Sequence, residues 1–191
     1  MFQEVSFRKN LNLRCVYFGG GDVEGYRVIP WGEVHSWRCD ACGLCCKGFR
    51  VPLRMDEYVK IASRFGYGAV EFDLGKVYLK RGINDRCIFQ RYWGGKWLCS
   101  LQAMKPLACK LYPFRVLSRP KYPGGGEAYY NYRGVELYIY LDPHCPGIRL
   151  GTPSREFVTK VLPEIVEISL GKRTRQYYST DYKIPYPLFR L

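Results

Sequence analysis

Four cysteines stand within eight residues in the stretch CDACGLCC, from Cys39 to Cys46. Packing does not require that density. Single cysteines are common in cores, but clustered thiols in an intracellular chain serve metals or redox chemistry. Cys39, Cys42 and Cys45 follow C-x2-C-x2-C spacing. A loop so spaced can turn three thiolates toward one centre, as ligands for zinc or an iron–sulfur cluster. Gly43 suits such a loop, because it tolerates positive φ and lets backbone approach closely.

The chain has nine cysteines; the others are Cys15, Cys87, Cys99, Cys109 and Cys145. The triplet is similar to the opening of the bacterial ferredoxin run, where three local cysteines and a distant Cys-Pro complete a cubane. Here Cys145-Pro146 is a distant Cys-Pro. A C-x2-C pair can equally begin a tetrahedral zinc site. The doubled Cys45-Cys46 bears on the number of centres. Neighbouring side chains usually point apart, so this pair is expected to face two. Eight thiols then divide into Cys39, Cys42, Cys45 and Cys145 in one set and Cys46, Cys87, Cys99 and Cys109 in the other. One [4Fe-4S] cluster with spare thiols, a dinuclear site with a bridging thiolate, or two disulfides with free cysteines fit the same spacing. Cys15, isolated in a strand-like stretch, reads as a small buried hydrophobe. His144, beside Cys145, could substitute as a ligand. It and His35 read first as loop histidines bonded to backbone.

The intervening sequence must carry these thiols to one place. LNLRCVYFGGG predicts a strand ending in a glycine turn, and YRVIPW a second strand. RMDEYVKIASRFG predicts a helix with Tyr58, Ile61, Ala62 and Phe65 on one stripe and Gly66 as its cap. AVEFDLGKVYLKRG predicts two short strands. In DRCIFQRYWGGKWLCSL, strands flank Gly94-Gly95, and a hairpin there would set Cys87 and Cys99 roughly opposite one another. QAMKPLACKLYP predicts a short helix or turn bearing Cys109 and stopped by Pro113. YYNYRGVELYIYL predicts another hairpin, and DPHCPG a tight loop with Cys145. A last helix is expected from Thr152, with Pro153 at its first position, a bend at Pro163 and an end at Gly171. Its core stripe is Phe157, Val158, Val161, Leu162, Ile165 and Ile168.

These elements predict an α+β fold, with small antiparallel strands, hairpins and a few helices around a cysteine-rich metal-binding core. Residues 1–171 read as one cysteine-cluster domain, with the metal-binding region at about 39–147. Residues 172–191 read as a basic, aromatic tail running along it. At 47% hydrophobic and 16% aromatic, the 191 residues can bury a real core. No apolar run approaches the length of a membrane span, and the first residues lack a secretion signal, so a cytoplasmic protein is expected. Four Asn and four Gln are few for this length. That thermophile-like composition keeps disulfides in view. The formal charge of +13 would be offset in part by thiolates; the remainder suits an acidic protein partner, anionic lipid or nucleic acid.

CDACGLCC, then CIF…WLCSLQAMKPLACKLYPF, then HCPG resemble the YkgJ family of cysteine-cluster proteins, the zinc- or iron-chelating domain. Its pattern is C-x2-C-G-x-C-C, a cysteine on each side of a short hairpin, an Arg-Pro pair, and Cys-Arg with an aromatic-Pro behind. The chain matches at Cys39, Cys42, Gly43, Cys45, Cys46, Cys87, Cys99, Cys109 and Pro113. It departs at Lys105 and Lys110, where arginine is usual; both keep the charge and lose the bidentate fork. The resemblance covers roughly residues 39–147 and implies a bound centre, zinc or an iron–sulfur cluster such as [4Fe-4S]. The family also includes flagellin lysine N-methylases, larger proteins that use S-adenosylmethionine.

Three functions follow. The first is a metal-binding protein whose centre is structural or redox active, since closed four-thiolate sites supply folding energy and leave no open position. The second is an iron–sulfur-dependent modification enzyme such as a protein lysine methyltransferase. It would need a pocket with polar groups, for which Asp40, Asp56, Asp85, Asp142 and Lys105 are the scattered candidates. The third is a nucleic-acid-binding module using Lys172, Arg173, Arg175, Tyr177, Tyr178 and Lys183 of the tail. It is less favoured, because those cations can complement a helix end while the tyrosines pack on the core.

Overall fold

The computed structural model describes residues 27–179. The strand expected around Cys15 and the end of the tail with Lys183 lie outside the described residues. Strand β1 (Ile29–Pro30) leads through a 3-10 turn into β2 (Val34–Trp37). The cysteine loop ends in a single helical turn, α1 (Cys45–Gly48), followed by α2 (Met55–Phe65). Two hairpins come next, β3 (Val70–Asp73) with β4 (Lys76–Leu79), and β5 (Gln90–Trp93) with β6 (Lys96–Cys99). The short helix α3 (Leu107–Leu111) precedes β7 (Phe114–Leu117), β8 (Tyr129–Tyr132), β9 (Val135–Leu141) and β10 (Ile148–Leu150). A wide π turn (Phe157–Val161) runs into α4 (Leu162–Ser169). The class is α+β, as predicted.

Two large cores organise these elements, with a smaller cluster of Val28, Ala128 and Tyr140 apart from them. In the first, β9 is central: β7 pairs along one edge, and β8 and then β1 along the other. Its inward side chains, Leu137, Ile139 and Leu141, meet Phe157, Leu162, Ile165 and Ile168 of the last helix. In the second, Ile61 of α2 packs with Val70, Val77 and Leu79 of the β3–β4 hairpin and with Phe89, Leu101 and Ala108. Helix α2 begins where Glu57 accepts hydrogen bonds from the backbone N–H groups of Arg54 and Leu107. One carboxylate thus satisfies an orphan donor of α2 and holds the start of α3 against it.

Three expectations change in detail. Among the described residues of YRVIPW, only Ile29 and Pro30 form a strand, and a 3-10 turn follows directly. The last helix begins at residue 155, not at Thr152. Ser154 caps it, accepting the Phe157 N–H, and Pro153 stays in the preceding turn. The turn before Pro163 is widened to π geometry. That accommodates a ring that would clash with the carbonyl four residues earlier.

Past Gly171, whose φ of +71° ends the helix, the chain turns back along α4. Buried Glu164 accepts the backbone N–H groups of Tyr177, Tyr178 and Ser179 and pairs with Arg173. This satisfied buried carboxylate fastens the start of the tail.

Candidate metal centre

The first core positions Cys39 and Cys145. Strand β10 pairs with β2, setting Ile148 opposite Trp37, and the Arg38 N–H bonds to the Gly147 carbonyl. A Cβ on Gly147 would stand 2.0 Å from the Arg38 oxygen, so only glycine permits this approach. The Trp37 indole N–H then donates to the Cys145 sulfur at 3.3 Å, and the Ala41 N–H to the Cys39 sulfur at 3.4 Å. Both thiols pack against the first core.

The second core positions the other set. The Cys87 N–H bonds to the Cys46 carbonyl at 2.8 Å, joining two chain segments 41 residues apart. Cys99 ends β6, where its cross-strand neighbour is Gln90 rather than Cys87. Cys87 lies in the turn before β5, its carbonyl accepting the Gln90 N–H. The hairpin forms at Gly94-Gly95 as expected, but it begins too late to set the two cysteines opposite. Cys109 lies on α3, whose start is tied to α2 through Glu57. Cys46, Cys87, Cys99 and Cys109 all pack with the second core.

The cysteine loop joins the two halves. Its Ala41 carbonyl accepts the Trp97 N–H, and its Gly43 carbonyl accepts the Gln90 side-chain amide. Gly43 has φ +75°, and a Cβ there would meet Gln90 Nε2 at 2.4 Å and Trp97 Cβ at 2.6 Å. Both the backbone conformation and the contact with the hairpin demand glycine. Arg86 stacks on the Trp97 ring at 4.0 Å and donates to Gln90, bracing the hairpin against the loop.

Seven of the eight cysteines line one cavity of about 100 Å³; Cys87 sits buried behind it. Lys105 and Arg50 bring positive charge to its wall. Arg50 is already committed to Glu71 and Asp73. None of the eight forms a disulfide. Among the described residues, no three His, Cys, Asp or Glu side chains already form a group that could hold an ion. The thiols surround the cavity rather than close into a cage. As donors they fit a thiolate-held metal: soft sulfur in number, on elements from both cores, with N–H groups directed at two of the sulfurs.

Electrostatics follow the same division. Burial pushes the Cys39 thiol up to about 12 and the Cys87 thiol up to about 11. Burial also raises Cys99, Cys109 and Cys145. Cys39 feels Cys45 and Cys145, and Cys145 feels Cys42 and Cys45. Cys109 feels Cys99, Cys87 and Cys45, and Cys46 feels Cys45, Cys109 and Cys99. Cys45 belongs to both neighbourhoods. Its sulfur lies 3.9 Å from that of Cys46, so the adjacent pair does not point apart as expected. A hydrogen bond from Cys46, helped by the charge of Lys105, lowers Cys45 against burial, which raises it; the same bond and burial raise Cys46. Thiolates so buried are costly without a compensating cation, which a bound metal supplies.

Neither histidine lines the cavity. The His144 ring bonds to the buried Asp142 carboxylate, and the His35 ring to the Thr152 carbonyl. Of the scattered candidates, Asp56 pairs with Arg54 and Lys60, and Asp85 with Arg81. Asp40 and Lys105 line the cavity. In the tail, Arg173 is held by Glu164 and Glu167, and Lys172 lies over the Tyr132 ring. Sequence reasoning missed Trp37, Gln90, Trp97 and Gly147. Only Gly147 carried a local signal, its place in HCPG; the others act through contacts across the chain.

Residues 38–146 match the CxxCxxCC family, described as "Putative zinc- or iron-chelating domain". The match covers more than half the chain, and the chain belongs to this family. Comparison with curated proteins and with solved structures gave no match. No helix among the described residues is long and apolar enough to cross a membrane.

Proposed function

We propose that this protein holds two thiolate-bound metal centres, one on each core. Cys39, Cys42, Cys45 and Cys145 form the first, and Cys46, Cys87, Cys99 and Cys109 the second. The observation that carries this reading is the division of the thiols. Cys39 and Cys145 pack on the first core, whereas Cys46, Cys87, Cys99 and Cys109 pack on the second. Each centre is zinc or an iron–sulfur cluster, in a domain of the YkgJ type within residues 1–171 and with a tail from 172 to 191. A reducing cytoplasm keeps the thiols available. Their principal role is to bind the two halves together, since metal binding to thiolates that come together only on folding is folding free energy.

Two observations favour neighbouring readings. The 3.9 Å contact between the Cys45 and Cys46 sulfurs suits a dinuclear site sharing a thiolate. A polar cleft of about 760 Å³ beside Cys39 supplies the pocket that a modification enzyme would need. Purification without oxygen, with iron, zinc and acid-labile sulfide measured per chain, tests the main reading. About two zinc ions, or about eight iron with about eight sulfide, are expected per chain. Protein without tightly bound metal overturns it.

A further inference from the structure

The two sets of thiols do not meet solvent alike. Cys42 is exposed, whereas Cys87 is buried at 7%. The 760 Å³ cleft opens beside the first set only. Cys39 is the single cysteine on its wall, and Trp37, Asp40 and Gly147 line both the cleft and the thiol cavity. Cys145, bonded to Trp37 and two residues before Gly147, stands at that shared wall. Arg38, Arg149 and Glu156 join Asp40 to give the cleft both charges, and Tyr177 and Tyr178 add rings to its polar side. None of Cys46, Cys87, Cys99 or Cys109 reaches it.

Resting on the two-centre reading, we propose that the centres differ in kind: the outer one, on Cys39, Cys42, Cys45 and Cys145, is exchangeable and reached through the cleft, and the inner one is structural. Ligand exchange at a thiolate site needs an approach path for the incoming group. The cleft offers one to the outer set; of the inner set Cys46, Cys99 and Cys109 are half-buried against the second core, Cys87 is buried in it, and none of the four touches the cleft. The Trp37 N–H on Cys145 then acts as a positioning contact, holding an outer sulfur and drawing off part of its charge.

The test uses the full chain purified without oxygen, its metal measured, then mixed with excess EDTA while release is followed. Two successive releases are expected, the first at least about tenfold faster, within the range that outer contacts alone produce. Cys42→Ser should abolish the first and leave the second unchanged. Trp37→Phe keeps an aromatic ring in the core while removing the N–H and part of the indole's volume, and it should speed the first release and not the second. Release of all metal at one rate, or loss of the second release in Cys42→Ser, overturns the proposal. A wild-type metal content that one four-thiolate centre accounts for overturns the two-centre reading itself.

Discussion

The two halves of the thiol cavity rest on different scaffolds. Around Cys39 and Cys145 the backbone of two distant strands is drawn together, with Gly147 against Arg38, and sulfur receives N–H groups from Trp37 and Ala41. Around Cys46, Cys87, Cys99 and Cys109 the thiols are packed into apolar surroundings, with a single backbone bond between Cys46 and Cys87. Backbone N–H groups reach the inner sulfurs as well, from Phe89 to Cys87 and from Leu101 and Gln102 to Cys99. In both halves burial raises the thiols, so the charge of a thiolate is left to be balanced by whatever it binds. The halves differ in what holds them: strand pairing in one, apolar packing in the other.

The largest expected effect comes from the inner set. Cys46→Ala should remove one centre's metal and lower the melting temperature by on the order of 10 °C, because the second core loses its cross-link. Cys42→Ala should remove a similar amount of metal and cost only a few degrees, roughly. Elemental analysis with thermal denaturation compares them; equal shifts would erase the contrast. Gly43→Ala attacks the seam between the halves and should cost about 1–3 kcal/mol in urea denaturation, through overpacking against Gln90 and Trp97. A neutral result would mean that the loop can withdraw from the hairpin.

The third prediction concerns pH. Thiols whose folded pKa lies above the ordinary 9.0 favour the folded chain while protonated. In metal-free protein that stability should be complete below pH 9.0. It should fall as pH rises through about 11 for Cys87 and about 12 for Cys39. Metal-loaded protein should show the reverse trend, losing metal and stability toward acid as protons compete for thiolates. Circular dichroism across both ranges checks the crossing. The smallest effect is expected from Cys15→Ala, which should leave metal content unchanged; loss of metal there would place a ninth thiol in the set.

Much of this was legible from local pattern. Helix α2, with Gly66 after it, follows from a period of 3.6 residues and a residue able to adopt positive φ. The β3–β4, β5–β6 and β8–β9 hairpins follow from alternation and turn residues. Errors occurred where a terminus depends on a particular cap, as at Ser154, or where pairing begins a few residues late, as with Cys87 and Gln90. Those depend on which backbone group finds which partner, and residue type alone does not specify it.

The sequence by itself determined that Cys39, Cys42, Cys45 and Cys46 lie together, because C-x2-C-x2-C-C spacing keeps four thiols in one short loop whatever the rest of the chain does. Tertiary structure alone brought the distant thiols to that loop. Cys145 reaches Cys39 only through the pairing of β10 with β2, and Cys87 reaches Cys46 only through one bond across 41 residues. Such closures depend on burial in two separate cores, a property of surfaces assembled from the whole chain that spacing between cysteines does not encode.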